Sequence, residues 1–246
     1  MIQLLYNRTM TVAIGIDGCK GGWFFFRFDG DTGTFGVASD ITEVLEGVPP
    51  DAHVLIDIPI GLKERGKVER ECDVEARALL RPSRHSSVFS APCRQASQLD
   101  DYESASKKNK KITGRSLSRQ CWGIVPKIRE VDELLRARNR IGGTLWEAHP
   151  ELVFRGLAGG PMSANKKSRE GFAERMTILQ IFEPDAKTYI AAAFLAHGGF
   201  DAGRDDIVDA YVLALCAKHP GRWRRVPEVP VTDPKGLVMQ MVYMQP

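Results

Sequence analysis

Asp17, Asp57, Asp206 and Asp209 stand where acids are costly, and their spacing suggests one shared task. Asp17 closes the apolar run Val12-Ala13-Ile14-Gly15-Ile16, and Asp57 lies between Ile56 and Ile58, just before Pro59. A carboxylate in such company needs a partner, because an unpaired buried charge is expensive. Asp206 and Asp209 belong to Asp205-Asp206-Ile207-Val208-Asp209-Ala210-Tyr211-Val212-Leu213. On a helix, that i,i+3 pair projects from one face. Carboxylates drawn together repel each other, and a hard dication relieves the repulsion. An acid on each of two strands, with an Asp-x-x-Asp pair on a late helix, therefore reads as an oxygen-donor site for one or two Mg²⁺ or Mn²⁺ ions. Such ions activate water and stabilise a departing oxygen.

Around this set lie weaker candidates. Glu147 is a further ligand or an orienting group, and an acid paired with an arginine is its plain alternative. His149 and Glu151 follow it and are expected at the same rim, His149 as a general base or merely as a strand end. Asp205 suits a helix N-cap, which favours Asp206 and Asp209 as the ligands. Lys20, Arg84, Lys127, Arg129, Lys166 and Lys167 are the cations expected to reach a phosphate. For Lys127 and Arg129, a solvated helix face with internal ion pairs accounts for them equally well. Lys107, Lys108, Lys110 and Lys111 read as a solvated loop or as a patch tracking a nucleic-acid backbone. Cys19 beside Lys20 has a setting that lowers a thiol pKa, but no base or third group completes a thiol mechanism.

The elements that must position these groups follow from periodicity. Val12–Asp17 is a strand buried on both faces. Aromatic-rich Trp23–Phe28 and Thr34–Ala38 form a hairpin about the turn Asp29-Gly30-Asp31-Thr32-Gly33. A short helix over Ile41–Leu45, capped by Ser39 or Asp40, leads to a fourth strand over His53–Pro59. Helical spacing then recurs in Glu64–Leu80 and Ile124–Ala137, and Thr144–Ala148 is a fifth strand. Lys166–Phe182, Ala186–Ala196 and Asp205–Ala217 are helical. The tail from Pro227 is Pro-interrupted, with one last strand near Val238–Met244. The fold expected is α/β: a mixed five-stranded sheet, a three-stranded hairpin meander plus parallel strands, flanked by helices. A helical insertion at about 63–140 separates the fourth and fifth strands. Residues 10–246 form one domain and 1–9 an extension, with Met10 an alternative translation start.

Bulk properties bound the partners. The chain has 246 residues, 43% hydrophobic and 26% charged, which describes an ordinary globular protein. A net charge of +3 permits nucleic-acid binding without demanding it. No apolar run reaches the roughly 18 residues of a membrane span, so no membrane partner is expected. The five cysteines are scattered, which argues against a zinc ribbon. Their odd number without a signal peptide points to a reducing, cytoplasmic setting. The oligomeric state stays open, a homodimer included.

Longer segments carry a resemblance. Strand-Asp, aromatic hairpin, strand-Asp and late acidic helix resemble the RNase H-like superfamily, and the Asp-x-x-Asp spacing is closest to RuvC-type resolvases. A narrower group, the uncharacterised predicted RNase H-like nucleases, is similar over several stretches. These include Gly15-Ile16-Asp17-Gly18-Cys19-Lys20-Gly21-Gly22-Trp23, Ile56-Asp57-Ile58-Pro59-Ile60-Gly61-Leu62 and Glu71-Cys72-Asp73-Val74-Glu75-Ala76-Arg77. Ser86-Ser87-Val88-Phe89, Pro126-Lys127-Ile128-Arg129-Glu130-Val131-Asp132, Glu147-Ala148-His149-Pro150-Glu151, Lys166-Lys167 and Asp205–Ala210 continue the match. The resemblance implies a metal-dependent nuclease, a hydrolase of phosphodiester bonds in DNA or RNA. Two alternatives are an ATP-dependent phosphotransferase of the sugar-kinase or actin-like type and a non-catalytic nucleic-acid-binding module. The first normally needs a second such domain and a second Gly-rich phosphate loop, neither visible here. The second predicts erosion of the acidic set, which is intact.

Overall fold

The computed structural model describes residues 11–137 and 145–246. Expectations for residues 1–9, for Met10 and for Thr144 fall outside them. Strands β1 (Ala13–Cys19), β2 (Gly22–Asp29) and β3 (Thr32–Ala38) form the hairpin meander. Helix α1 (Ile41–Leu45), capped by the Asp40 side chain, then leads into β4 (His53–Ile56). The insertion follows as α2 (Glu71–Leu79), α3 (Arg94–Ser97), α4 (Tyr102–Thr113) and α5 (Arg119–Ala137). After β5 (Leu145–Ala148) come α6 (Pro150–Ala158), α7 (Arg169–Phe182), α8 (Ala186–His197) and α9 (Arg204–Ala217). Strands β6 (Trp223–Thr232) and β7 (Val238–Met244) complete the sheet.

The described residues form a mixed α/β fold with seven strands, in the order β3-β2-β1-β4-β5-β7-β6, rather than the five expected. β1, β4, β5 and β7 run parallel, while β2 and β6 are reversed. The extra strands come from the tail, where β7 matches its expected span and β6 does not. Pro227 and Pro230 masked β6, but it lies at the sheet edge, where missing ladder donors are tolerated, and its pairing shifts register between Val226 and Val231.

Several helices also depart from expectation: α2 begins at Glu71 rather than Glu64, and α5 at Arg119 rather than Ile124. Lys107–Lys111 lie within α4 rather than in a loop, because Asp101 caps its start and left-handed Gly114 ends it. Helix α6 begins at Pro150, a first-turn position that proline tolerates. Helix α7 starts only at Arg169, where the Ser168 side chain accepts from Gly171 N at 3.0 Å. Lys166 and Lys167 thus sit in the preceding loop.

Alternation along β1 divides the core. Ile14 and Ile16 join Val54 and Ile56 against α5, through Ile128, Val131 and Leu135. Ala13, Gly15 and Asp17 point to the other face, where α9 lies. Gly15 lets α9 rest on bare backbone, since a Cβ there would fall 2.1 Å from Ala214 N and 2.2 Å from Ala210 O. Phe24, Phe26 and Phe28 extend this face, with Tyr211 edge-on to Phe26 at 4.9 Å. No helix among the described residues is long and apolar enough to cross a membrane.

Candidate metal centre

Register brings the two strand acids together. Ile16 pairs with Ile56 in the parallel ladder, and the next rung joins Asp57 N to Ile16 O at 3.0 Å. Asp17 and Asp57 are therefore side-by-side neighbours. They share the α9 face at the carboxyl edge of the sheet, where ligands of α/β proteins gather. Because α9 runs against β1, its N-terminal half meets the same edge, and its second turn brings Asp209 to the pair.

Asp17 is 8% and Asp209 2% exposed. Among the described residues no hydrogen bond or ion pair reaches either the Asp17 or the Asp57 carboxylate. Burial, then the charges of Asp57 and Asp209, hold Asp17 well above the usual carboxylate range. Burial and then Asp209 push Asp57 up to about 7. Asp209 is met by Lys166 Nζ at 2.5 Å, which is also 3.6 Å from Asp205.

The neighbouring aspartates exchange their expected roles. The N-cap of α9 is Gly203, not Asp205, and Asp206 at the third helical position accepts from Gly203 N at 2.8 Å. Asp206 is therefore the capping acid. Its pKa is raised by burial first, so it still adds to the local field. Asp205 faces Lys166 and Lys167, the latter at 3.7 Å.

Glu147 does not join the aspartates. The β4–β5 register sets it beside Ile56 rather than Asp57, so its side chain leaves the opposite face of the sheet. There Arg70 takes it with two hydrogen bonds, Nη2 to Oε1 at 2.7 Å and Nη1 to Oε2 at 3.0 Å, and Ile60 N donates to it at 2.7 Å. Arg70 also grips Asp73 at 2.5 Å. Cys72, Asp73 and Glu147 are the one set of three such ligand atoms within 4.8 Å of one another among the described residues. The guanidinium already fills the role of their cation. Sequence reasoning overlooked Arg70, although its spacing to Asp73 on one helix face was the available signal.

A cavity of about 390 Å³ opens over Asp17, Asp57 and Asp209. Insertion residues Ser86, Ser87, Phe89, Gln120 and Ile124 border it opposite the acids. His149 and Glu151 reach its wall, as expected. Glu151 is held by Arg175 Nη2 at 2.5 Å, yet its Oε2 is buried without a partner. His149 Nε2 lies 3.4 Å from Ser87 O, and its Nδ1 is buried and unpartnered. Burial lowers the His149 pKa, so the ring is neutral near pH 7. Arg175, 1% exposed, had no sequence signal beyond a charge within an apolar helix pattern.

Several expected phosphate contacts are otherwise engaged. Lys127 borders the cavity, but its ammonium donates to Gly22 O and lies 4.5 Å from the centre of the Trp23 ring. Arg129 binds Ser97 O, Leu99 O and Asp100. Arg84 binds Met162 O at 3.1 Å and Ser163 O at 3.1 Å, while still bordering the cavity. Lys20 is exposed at the end of β1. The Cys19 thiol is buried and its pKa is raised, against the lowering expected beside Lys20.

No curated protein and no solved structure matches the chain. A family model described as a protein of unknown function, DUF429, matches residues 15–232. That span runs from the strand of Asp17 to the end of β6, and the chain belongs to the DUF429 family.

Proposed function

We propose that this protein is a metal-dependent nuclease of the RNase H-like kind, hydrolysing phosphodiester bonds in nucleic acid. The observation that carries this is the pairing of Asp17 with Asp57. They are two neighbouring carboxylates without a donor in reach, at the floor of a cavity of about 390 Å³. The strand order β3-β2-β1-β4-β5, with β2 reversed, and the late acidic helix on the same face support the RNase H-like assignment.

The residues fit a hard dication. Asp17 and Asp57 supply only oxygen donors, and burial, then the neighbouring carboxylates, raises the pKa of both, a repulsion that a dication would relieve. Asp17 and Asp57 would hold Mg²⁺ or Mn²⁺, with Asp209 beside them and paired with Lys166. A bound ion of this kind acidifies water and offsets charge on a phosphoryl oxygen. The chain's own groups do the rest. With Nε2 turned to Ser87 O, neutral His149 keeps a lone pair on buried Nδ1, which would accept a proton once a rotation of the ring brought it to water. Arg175 holds Glu151 at the same wall through one carboxylate oxygen. The insertion residues across the cavity wall exclude bulk solvent and contact the substrate.

The test is cleavage of single-stranded, duplex and branched DNA and RNA with Mn²⁺ and no ATP. At least one substrate should be cut, and Asp17→Asn should return cleavage to background. Tight ATP binding with turnover, and no cleavage of any substrate, would replace this proposal with phosphotransfer.

A further inference from the structure

We propose that Lys166 is a resident cation of the acid cluster, so that the site takes one divalent ion, on Asp17 and Asp57, rather than two. This rests on the metal-dependent reading above and deepens it.

Lys166 Nζ lies 2.5 Å from Asp209 Oδ2 and 3.6 Å from Asp205 Oδ2. Asp209 is 2% exposed and has no other ion-pair partner among the described residues, so the ammonium balances its charge. With Asp209 paired to Lys166, Asp17 and Asp57 are the two acids left without a cation partner among the described residues, and their two charges match a single dication. A second dication at Asp209 would have to displace Lys166 or sit beside it.

The backbone that delivers Lys166 is built in place. Ser168 N donates to Asn165 O at 2.9 Å, and Lys167 N donates to the Asn165 side chain at 3.0 Å. Buried Arg175 donates to Ala164 O at 3.3 Å. Gly171 lets α7 close on this loop, since a Cβ there would fall 1.9 Å from Asn165 O. Lys166 is thus anchored at both its neighbours, while its side chain remains 32% exposed toward the cavity.

The test counts bound Mn²⁺ by electron paramagnetic resonance in wild type, Lys166→Arg and Lys166→Met, each checked for folding by thermal melting. Wild type and Lys166→Arg should bind one equivalent, lost in Asp17→Asn. Lys166→Met should bind two. Two equivalents on the wild type, or only one on folded Lys166→Met, would overturn the assignment to Lys166 and leave the metal reading standing. No binding to any variant would overturn both. Should Lys166→Met fail to fold, Lys166→Gln takes its place in the same count, with two equivalents expected and one overturning the proposal.

Discussion

On one face of the sheet Asp17 and Asp57 lie together with no donor in reach. On the other face, Glu147 and Asp73 share the guanidinium of Arg70. A second paired group, Arg94 with Asp132 and Asp233, ties the insertion to the turn before β7. All these acids occupy apolar surroundings, so burial alone does not distinguish them. Saturation does. Where a guanidinium meets every carboxylate, even when two acids share it, the charge serves to hold elements together. Asp17 and Asp57 have no such partner among the described residues, and on the proposed reading they leave room for a charge from outside.

The largest test of this contrast is Arg70→Met. It strands two buried acids and should destabilise the fold by about 3–5 kcal/mol in denaturant unfolding, or prevent folding. Asp17→Asn should leave the metal-free protein as stable as before or more so, because it removes a repelling charge. A large loss from Asp17→Asn would erase the difference between the two faces.

A smaller effect is expected from pH. The Asp57 pKa is raised from 3.8 to about 7 in the folded state, so the native protein holds that proton more tightly than the unfolded chain. With EDTA present, stability should therefore fall as pH rises from about 4 to about 7. Asp57→Asn should flatten that slope, raising the melting temperature at pH 8 and changing it little at pH 4. An unchanged slope would show that Asp57 is not under strain.

The smallest effect concerns the start of α9. Asp206→Ala removes the capping acid and should cost about 1 kcal/mol. Asp205→Ala removes only longer, partly exposed ion pairs and should cost below about 0.5 kcal/mol. The reverse order in chemical denaturation would restore Asp205 as the cap.

How much of this was legible beforehand depended on the range of the interaction. Asp17, Asp57 and Asp209 stood out because local apolar runs made each acid conspicuous, and parallel strands bring such ends to one edge. The position of Glu147 turned on which residue of β4 it faces, a register that no local pattern encodes. The misassigned cap arose because Gly203 has no side chain to signal it, so the first acid after it looked like the start. Lys127, Arg129 and Arg84 are held by backbone carbonyls far along the chain, which sequence spacing does not reveal. Helix α4 was readable in principle, through Asp101 and Gly114, but its lysines drew attention to charge instead of period.

The path of the insertion carries a consequence of its own. The chain leaves the sheet edge directly after Asp57, borders the same cavity at Ser86, Ser87 and Phe89, and meets it again within α5 at Gln120 and Ile124. The segment between is an excursion from one edge, clamped by Arg70 and Arg94, and it passes through no strand. Doubling the length of a flexible loop in such an excursion costs only about 0.6 kcal/mol of closure entropy. Descent with modification can therefore reshape what enters the cavity while the aspartates stay where they are. On the proposed reading, selectivity and reactivity would lie on separable stretches of this sequence.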